Sequence, residues 1–234
     1  LASASPARLA TLHAAGIRAK VLVSSVDEDA ALARAMEAAP GMGAAEQVLV
    51  LARAKAEDVA RRVGGADAGA GTAGTAGTAG RVLVLGCDSM LDLDGEVVGK
   101  PRDDEEARRR IQKRSGRKAV LHTGHWLVDL DEAGDEGEDA LSPGPWDSPI
   151  VGEGRGVGAT SSCTVHFGEL SDGEIDAYVA TGEPLAVAGA FTIDGFGGPF
   201  IRGVEGDHHG VVGLSLPLLR VLLAQVGVAI PALW

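Results

Sequence analysis

The stretch Val82-Leu83-Val84-Leu85-Gly86-Cys87-Asp88-Ser89 runs a bare aliphatic strand straight into a carboxylate. Four uninterrupted aliphatic residues predict a strand buried on both faces, the kind found inside an α/β sheet. Ligands in open α/β sheets gather at the carboxyl ends of such strands, where Asp88 is expected. An aspartate there also caps turns, so the strand alone leaves both roles open. Downstream, Met90 to Val98 alternates around Asp94-Gly95, a favoured two-residue hairpin turn, and the returning strand delivers Gly99-Lys100-Pro101. The hairpin therefore folds Lys100 back toward Asp88, and the two can share a site.

Upstream, Ser5 suits an N-cap, Pro6 the first helical position and Gly16 the left-handed position beyond the end, which predicts a helix after Ser5. Ser3, Ser5 and Arg8 at that helix start make an anion-binding corner of hydroxyls, free N–H groups and a guanidinium. Arg8 also opposes the helix dipole, as it would where an anion docks. Lys20 to Val26 reads as a second strand leading into Asp27-Glu28-Asp29, an acidic run that suits a solvated loop, a helix cap or a hard cation. Ala44 to Val63 is the clearest helix, with Val48, Leu51, Ala52, Ala56, Val59 and Val63 as its apolar stripe. Lys55 lies on the shoulder of that stripe, where an ammonium needs a partner or a snorkelling path. The chain carries 16 arginines and five lysines, so Lys55 and Lys100 look like positions where a compact ammonium is wanted.

The rest of the chain supplies the scaffold. Gly64 to Gly80 repeats Gly-Thr-Ala and cannot pack a core, and Asp131 to Gly158 is acidic and rich in Gly and Pro. We expect one domain over residues 1–234 with flexible insertions at about 64–80 and 131–158. Asp103 or Asp104 starts a helix to about Arg114, with Arg109 and Arg110 on its solvent face. Lys118 to Leu130 alternates as a half-buried strand whose His122 and His125 point to opposite faces and so do not suit one metal. Thr160 to Phe167 is a further strand. Ser171-Asp172-Gly173-Glu174 is a capping box, and its helix ends near Thr181-Gly182. Ala188 to Gly198 is glycine-rich without dinucleotide spacing. Phe200-Ile201-Arg202 reads as a short strand, His208-His209 as surface residues rather than ligands, and Pro217 to Val226 as a closing amphipathic helix.

The net charge of −12 and pI near 4.9 argue against a nucleic-acid surface, so any phosphate contact is local. Cys87 and Cys163 stand far apart, with neither metal spacing nor a disulfide framework, which fits a reducing cytosol. No stretch reads as a membrane span. The chain opens on Leu1, and the natural start is expected upstream, with part of the first strand missing.

In order and combination these motifs resemble the Maf (septum formation inhibitor) family of nucleoside triphosphate pyrophosphatases. The similar stretches are Leu1 to Leu12 (the family's A-S-x-S-P-x-R), Leu51-Ala52-Arg53-Ala54-Lys55-Ala56, Gly86-Cys87-Asp88-Ser89, Gly95 to Pro101, Leu170 to Pro184, Ala188 to Gly198, and Val211-Val212-Gly213-Leu214. The resemblance implies an α/β fold with a mixed twisted sheet, flanking helices and two lobes around a central cleft. It implies a cytoplasmic enzyme, often a homodimer, that uses magnesium or manganese to split nucleoside triphosphates, modified ones included, into monophosphate and pyrophosphate. Roles in clearing modified nucleotides and restraining septation are suspected for the family. Carried over by position, Ser3 and Arg8 hold phosphate, with Ser5, Ser89 and Asp194 as further substrate-binding residues; Glu28 sits near the metal. Lys55 and Lys100 neutralise the triphosphate, and Asp88 activates water or binds the cation. There are three departures from the family pattern: Ala7 replaces the first of an arginine pair, Ser89 and Asp194 stand for threonine and glutamine, and His208-His209-Gly210 stands where others carry Ser-Asn or similar. The departures bear on base preference. A nucleotide-sensing binder without turnover and a phosphatase releasing orthophosphate remain as alternatives at this stage.

Overall fold

The computed structural model describes residues 1–66, 81–131 and 149–234. Its frame is a six-stranded sheet of β1 (Leu83–Leu93), β2 (Glu96–Val98), β3 (Lys118–Asp129), β4 (Val151–Glu153), β5 (Gly156–Phe167) and β6 (Ile201–Glu205). The order is β2-β1-β3-β5-β4, with β6 on the far end of β5, and every pairing among the described residues is antiparallel. Seven α-helices flank it: α1 (Pro6–Ala14), α2 (Glu28–Ala38), α3 (Ala44–Ala66), α4 (Asp104–Arg114), α5 (Asp172–Ala180), α6 (His208–Val212) and α7 (Leu216–Gln225). The expected caps are in place: Ser5 accepts from the Arg8 N–H, Asp103 from that of Glu106, and Ser171 and Glu174 close a reciprocal capping box. Asp94 and Gly95 both take positive φ, the conformation that a tight hairpin turn between β1 and β2 requires.

β1 corrects the expected position of Asp88. The strand does not end there but continues five residues to Leu93, so Asp88 and Ser89 lie in mid-strand, opposite Gly124 and Thr123 of β3. The aliphatic run stops at Gly86 because the strand changes surroundings, not because it turns. Ser89, Thr123 and Ser161 stand in register on three adjacent strands, forming a row of hydroxyls across one face. On one side of the row Cys87, Leu127 and Ala159 pack with Leu218 and Leu222 of α7. On the other, Leu91, Leu121 and Val165 pack with Phe167 and Phe191. The polar row thus divides the apolar core of this face in two.

The opposite face is covered by α3 at unusually close range. A Cβ on Gly86 would collide with the backbone of Ala52 and Ala56, and one on Gly124 with the backbone of Val48 and Leu49. Ala52, Ala56 and Val59 can therefore lie flat on Val84, Trp126 and Val128. A fourth cluster joins Ala107 and Ile111 of α4 to Ile175, Tyr178 and Val179 of α5.

Two expectations fail. Lys20 to Val26 forms no strand: it is bridged to Leu1, which donates to the Lys20 carbonyl (2.8 Å) and accepts from Leu22 (3.1 Å). Val21 and Val23 remain exposed, and Ser25 is tied to Asp58 of α3 instead. The expected insertions are also shorter where described, because residues 64–66 continue α3 and residues 151–158 contain β4 and the start of β5. Positions 67–80 and 132–148 lie outside the described residues. β5 likewise begins at Gly156 rather than Thr160, because its glycines let it lie against the Trp126 indole.

Gly86→Ala should cost about 3 kcal/mol in urea unfolding, since backbone blocks the added methyl. Gly173→Ala, at an open position in α5, should leave the midpoint unchanged or raised. Equal midpoints for the two variants would refute the seating of α3 on Gly86.

Candidate active site

α3 meets β1 where Lys55 faces Asp88. The Lys55 ammonium donates to Asp88 Oδ1 at 2.6 Å and lies 2.9 Å from Glu28 Oε1 of α2. Lys55 and Asp88 are both 8% exposed, whereas the Glu28 side chain is half-exposed. Burial pushes the Asp88 carboxyl above the usual carboxylate range, against the opposite pull of Lys55 and Arg8. Asp88 Oδ2 makes no hydrogen bond among the described residues, which leaves it open to accept a proton or bind a cation. A buried ion pair is weak evidence for stability, because desolvating both charges offsets most of their attraction. Both carboxylates converge on the Lys55 ammonium, and as oxygen donors, one of them with a free oxygen, they are of the kind that magnesium or manganese prefers.

A second network starts from Arg8. Its Nε donates to the Gly213 carbonyl (2.7 Å), Nη1 to Ser3 Oγ (3.2 Å) and the Cys87 carbonyl (2.9 Å), and Nη2 to Ser89 Oγ (2.9 Å). All these acceptors are neutral, so the guanidinium charge is held in place without a carboxylate bound to it. Ser3 also accepts from the Ser5 N–H, while Ser5 caps α1. Hydroxyl directions follow from what each group can give. Thr123 donates to the Gly210 carbonyl (2.9 Å), so Ser89 donates to Thr123 (2.9 Å) and keeps its lone pairs toward Arg8. Behind them, fully buried His125 donates from Nδ1 to the Thr123 carbonyl and accepts at Nε2 from the Ser215 N–H. Burial drives its pKa down to about 3, so the ring is neutral.

The two networks meet on consecutive residues of one strand: Asp88 points toward α3, and Ser89 toward the face that carries α6 and α7. Ser3, Ser5, Arg8 and Ser89 are joined on one side, and Lys55, Asp88 and Glu28 on the other. Lys100 is exposed and makes no hydrogen bond or ion pair among the described residues. The β1–β2 pairing ends at Val98, opposite Leu91, and the residue before Lys100 is pinned: the Gly99 carbonyl accepts from Arg110 Nη1 (2.7 Å) and from Gly189 N–H (3.0 Å). Arg110 is thus half-buried and structural, not on a solvent face as expected. Asp194 makes no hydrogen bond or ion pair among the described residues, so no such contact joins it to either network.

The loop bearing Asp194 is organised by Glu183, which accepts from Tyr178, Thr192 and the Phe196 and Gly197 N–H groups. Thr123, His125, Glu183, Arg110 and the carbonyls of Gly210 and Gly213 were not read as site elements from the sequence. Thr123 and His125 carried a usable signal, two polar residues spaced by two on a strand otherwise largely apolar.

The model of Maf-like proteins matches residues 1–226 of the chain. The chain belongs to the Maf-like family. A Salinispora tropica protein named nucleoside triphosphate pyrophosphatase is 47% identical over 234 residues, covering the whole chain and 86% of that relative. Relatives of the same name from Streptomyces coelicolor and Mycobacterium marinum are 48% and 44% identical over the whole chain, with 93% and 95% of their own lengths covered. A Maf-like sheet therefore carries the networks above. Its Cys87 thiol, which burial pushes up to about 11, stays uncharged and packs as a small apolar group. Among the described residues, no helix is long and apolar enough to cross a membrane.

His125 gives a pH prediction. Its pKa is depressed in the folded protein and returns to about 6.5 on unfolding, so the unfolded chain binds the extra proton between these values. The stability from burying the neutral ring is complete above pH 6.5 and is lost as pH falls toward 3, a span on the order of several kcal/mol. Chemical denaturation from pH 7 to 4 should therefore show a steeper loss in the wild type than in His125→Gln. Parallel curves would refute this assignment.

Proposed function

We propose that the chain hydrolyses nucleoside triphosphates to the monophosphate and pyrophosphate. The observation that carries the reading is the juxtaposition on β1: a neutral-liganded guanidinium beside Ser89, and a buried carboxylate with a free oxygen at Asp88. The printed names of the relatives support the same reaction.

In this scheme the triphosphate crosses the edge of β1 at Asp88 and Ser89, which β2 does not cover, between Arg8 on one face and Lys55 on the other. Arg8 binds phosphate oxygens through its charge, with Ser3 and Ser89 fixing its plane. Lys55 and Lys100 offset the charge that grows on the departing pyrophosphate. Water attacks the α-phosphorus, its proton passes to Asp88 Oδ2, and the bond to the α–β bridging oxygen breaks, releasing pyrophosphate. The raised proton affinity of Asp88 suits it to this transfer. In the alternative arrangement Asp88 Oδ2 and Glu28 would together hold a divalent cation, which would supply the charge neutralisation at the phosphates. Modified or non-canonical nucleotides are the proposed preference within this class, an expectation carried by the family resemblance alone, as are the cytoplasmic location and possible homodimer.

Asp88→Asn should keep the urea midpoint near that of the wild type and reduce pyrophosphate release at least about a hundredfold with magnesium or manganese present. Lys100→Ala should lower kcat strongly without altering the fold. Identifying the inorganic product from a panel of canonical, methylated-guanosine, uridine and thymidine triphosphates tests the reaction itself. Orthophosphate as the product, or nucleotide-dependent stabilisation with no product at all, would refute it.

A further inference from the structure

We propose that Asp207, His208 and His209 form a binding site for a divalent transition-metal ion of the zinc class, separate from the Asp88 carboxylate. Their ligand atoms all lie within 4.8 Å of one another. Asp207 caps α6: its Oδ1 accepts from the His209 backbone N–H (3.1 Å) and stands 3.0 Å from His209 Nδ1. That last contact is a hydrogen bond whose proton an ion would displace, since two bonds of about 2.1 Å at the tetrahedral angle span about 3.4 Å. The two imidazoles lie with ring centroids 3.9 Å apart and planes 37° apart, so both rings are drawn to the same side of the turn.

The independent mark of a ligand is Asp207 Oδ2. This oxygen is buried and has no hydrogen-bond partner in the described residues, an arrangement that carries a desolvation cost unless something else binds it. The segment is anchored from below, where Cys163 Sγ donates to the Asp207 carbonyl (2.8 Å), and the carboxylate is held through Oδ1 by the His209 backbone N–H. His208 is exposed and free to rotate. Two ligands on one ion are at most about 4.2 Å apart, so rotation of His208 closes the widest separation. Mixed imidazole and carboxylate donors suit zinc, cobalt or nickel better than magnesium, which prefers oxygen alone. The cluster sits at the start of α6, against β5 and on the face of the sheet opposite Asp88.

Cobalt(II) is a direct probe, because histidine binding gives it visible absorption. In the full chain carrying Asp88→Asn and Glu28→Gln, which disable the carboxylate pair, calorimetry should register one equivalent of cobalt with matching absorption bands. Adding His208→Ala, at an exposed position that the fold does not need, should weaken binding at least about tenfold, and adding His209→Ala as well should abolish it. Absence of cobalt binding in the parent, or undiminished binding after both histidines are removed, overturns the proposal.

Discussion

Two glycines and a helix backbone set the geometry on which the rest depends. Because Gly86 and Gly124 carry no side chain, α3 rests its own main chain on β1 and β3, closer than any other residue pair would permit. That approach brings Lys55 to 2.6 Å from Asp88 in a place with little water. An ammonium reaching the same carboxylate from a more distant helix would be more mobile and better solvated, and its field at the site correspondingly weaker. Close packing and electrostatics are here one constraint.

The polarity of the middle of the sheet follows from the same placement. Ser89, Thr123 and Ser161 interrupt strands that are apolar on either side, so the row divides the core on its face, while Asp88 looks out from the other. The cost is contained because each hydroxyl of the chain from Arg8 through Ser89 and Thr123 to the Gly210 carbonyl has a definite donor or acceptor role. His125 closes the arrangement from behind in a single tautomer.

Much of this was legible in the residues. Caps, helical stripes and the Asp94-Gly95 turn marked α1, α3, α4, α5, α7 and the hairpin, because these signals are local. Ser3, Ser5, Arg8, Lys55, Asp88, Ser89 and Glu28 were marked by charge or hydroxyl in unusual positions, helped by the family resemblance. The end of β1 was misread because its polar turn of composition records a change of environment, which a strand boundary also produces. Lys20 to Val26 has the composition of a strand, but its backbone bonds run to Leu1, at Lys20 and Leu22, and to the Asp58 and Arg62 side chains of α3. The role of Arg110 depends on the Gly99 carbonyl 11 residues away, and no side-chain pattern announces a carbonyl acceptor. For Glu183, the partners are a loop whose path only tertiary structure defines.

Main-chain acceptors have one more consequence at α6. Arg8 and Thr123 are held by the carbonyls of Gly213 and Gly210, which any sequence with the same backbone path would present. The side chains of this short helix are therefore released from the duty of aligning the guanidinium. Those side chains can change, and with them the chemistry that the helix offers to solvent, while the Arg8 guanidinium stays where it is.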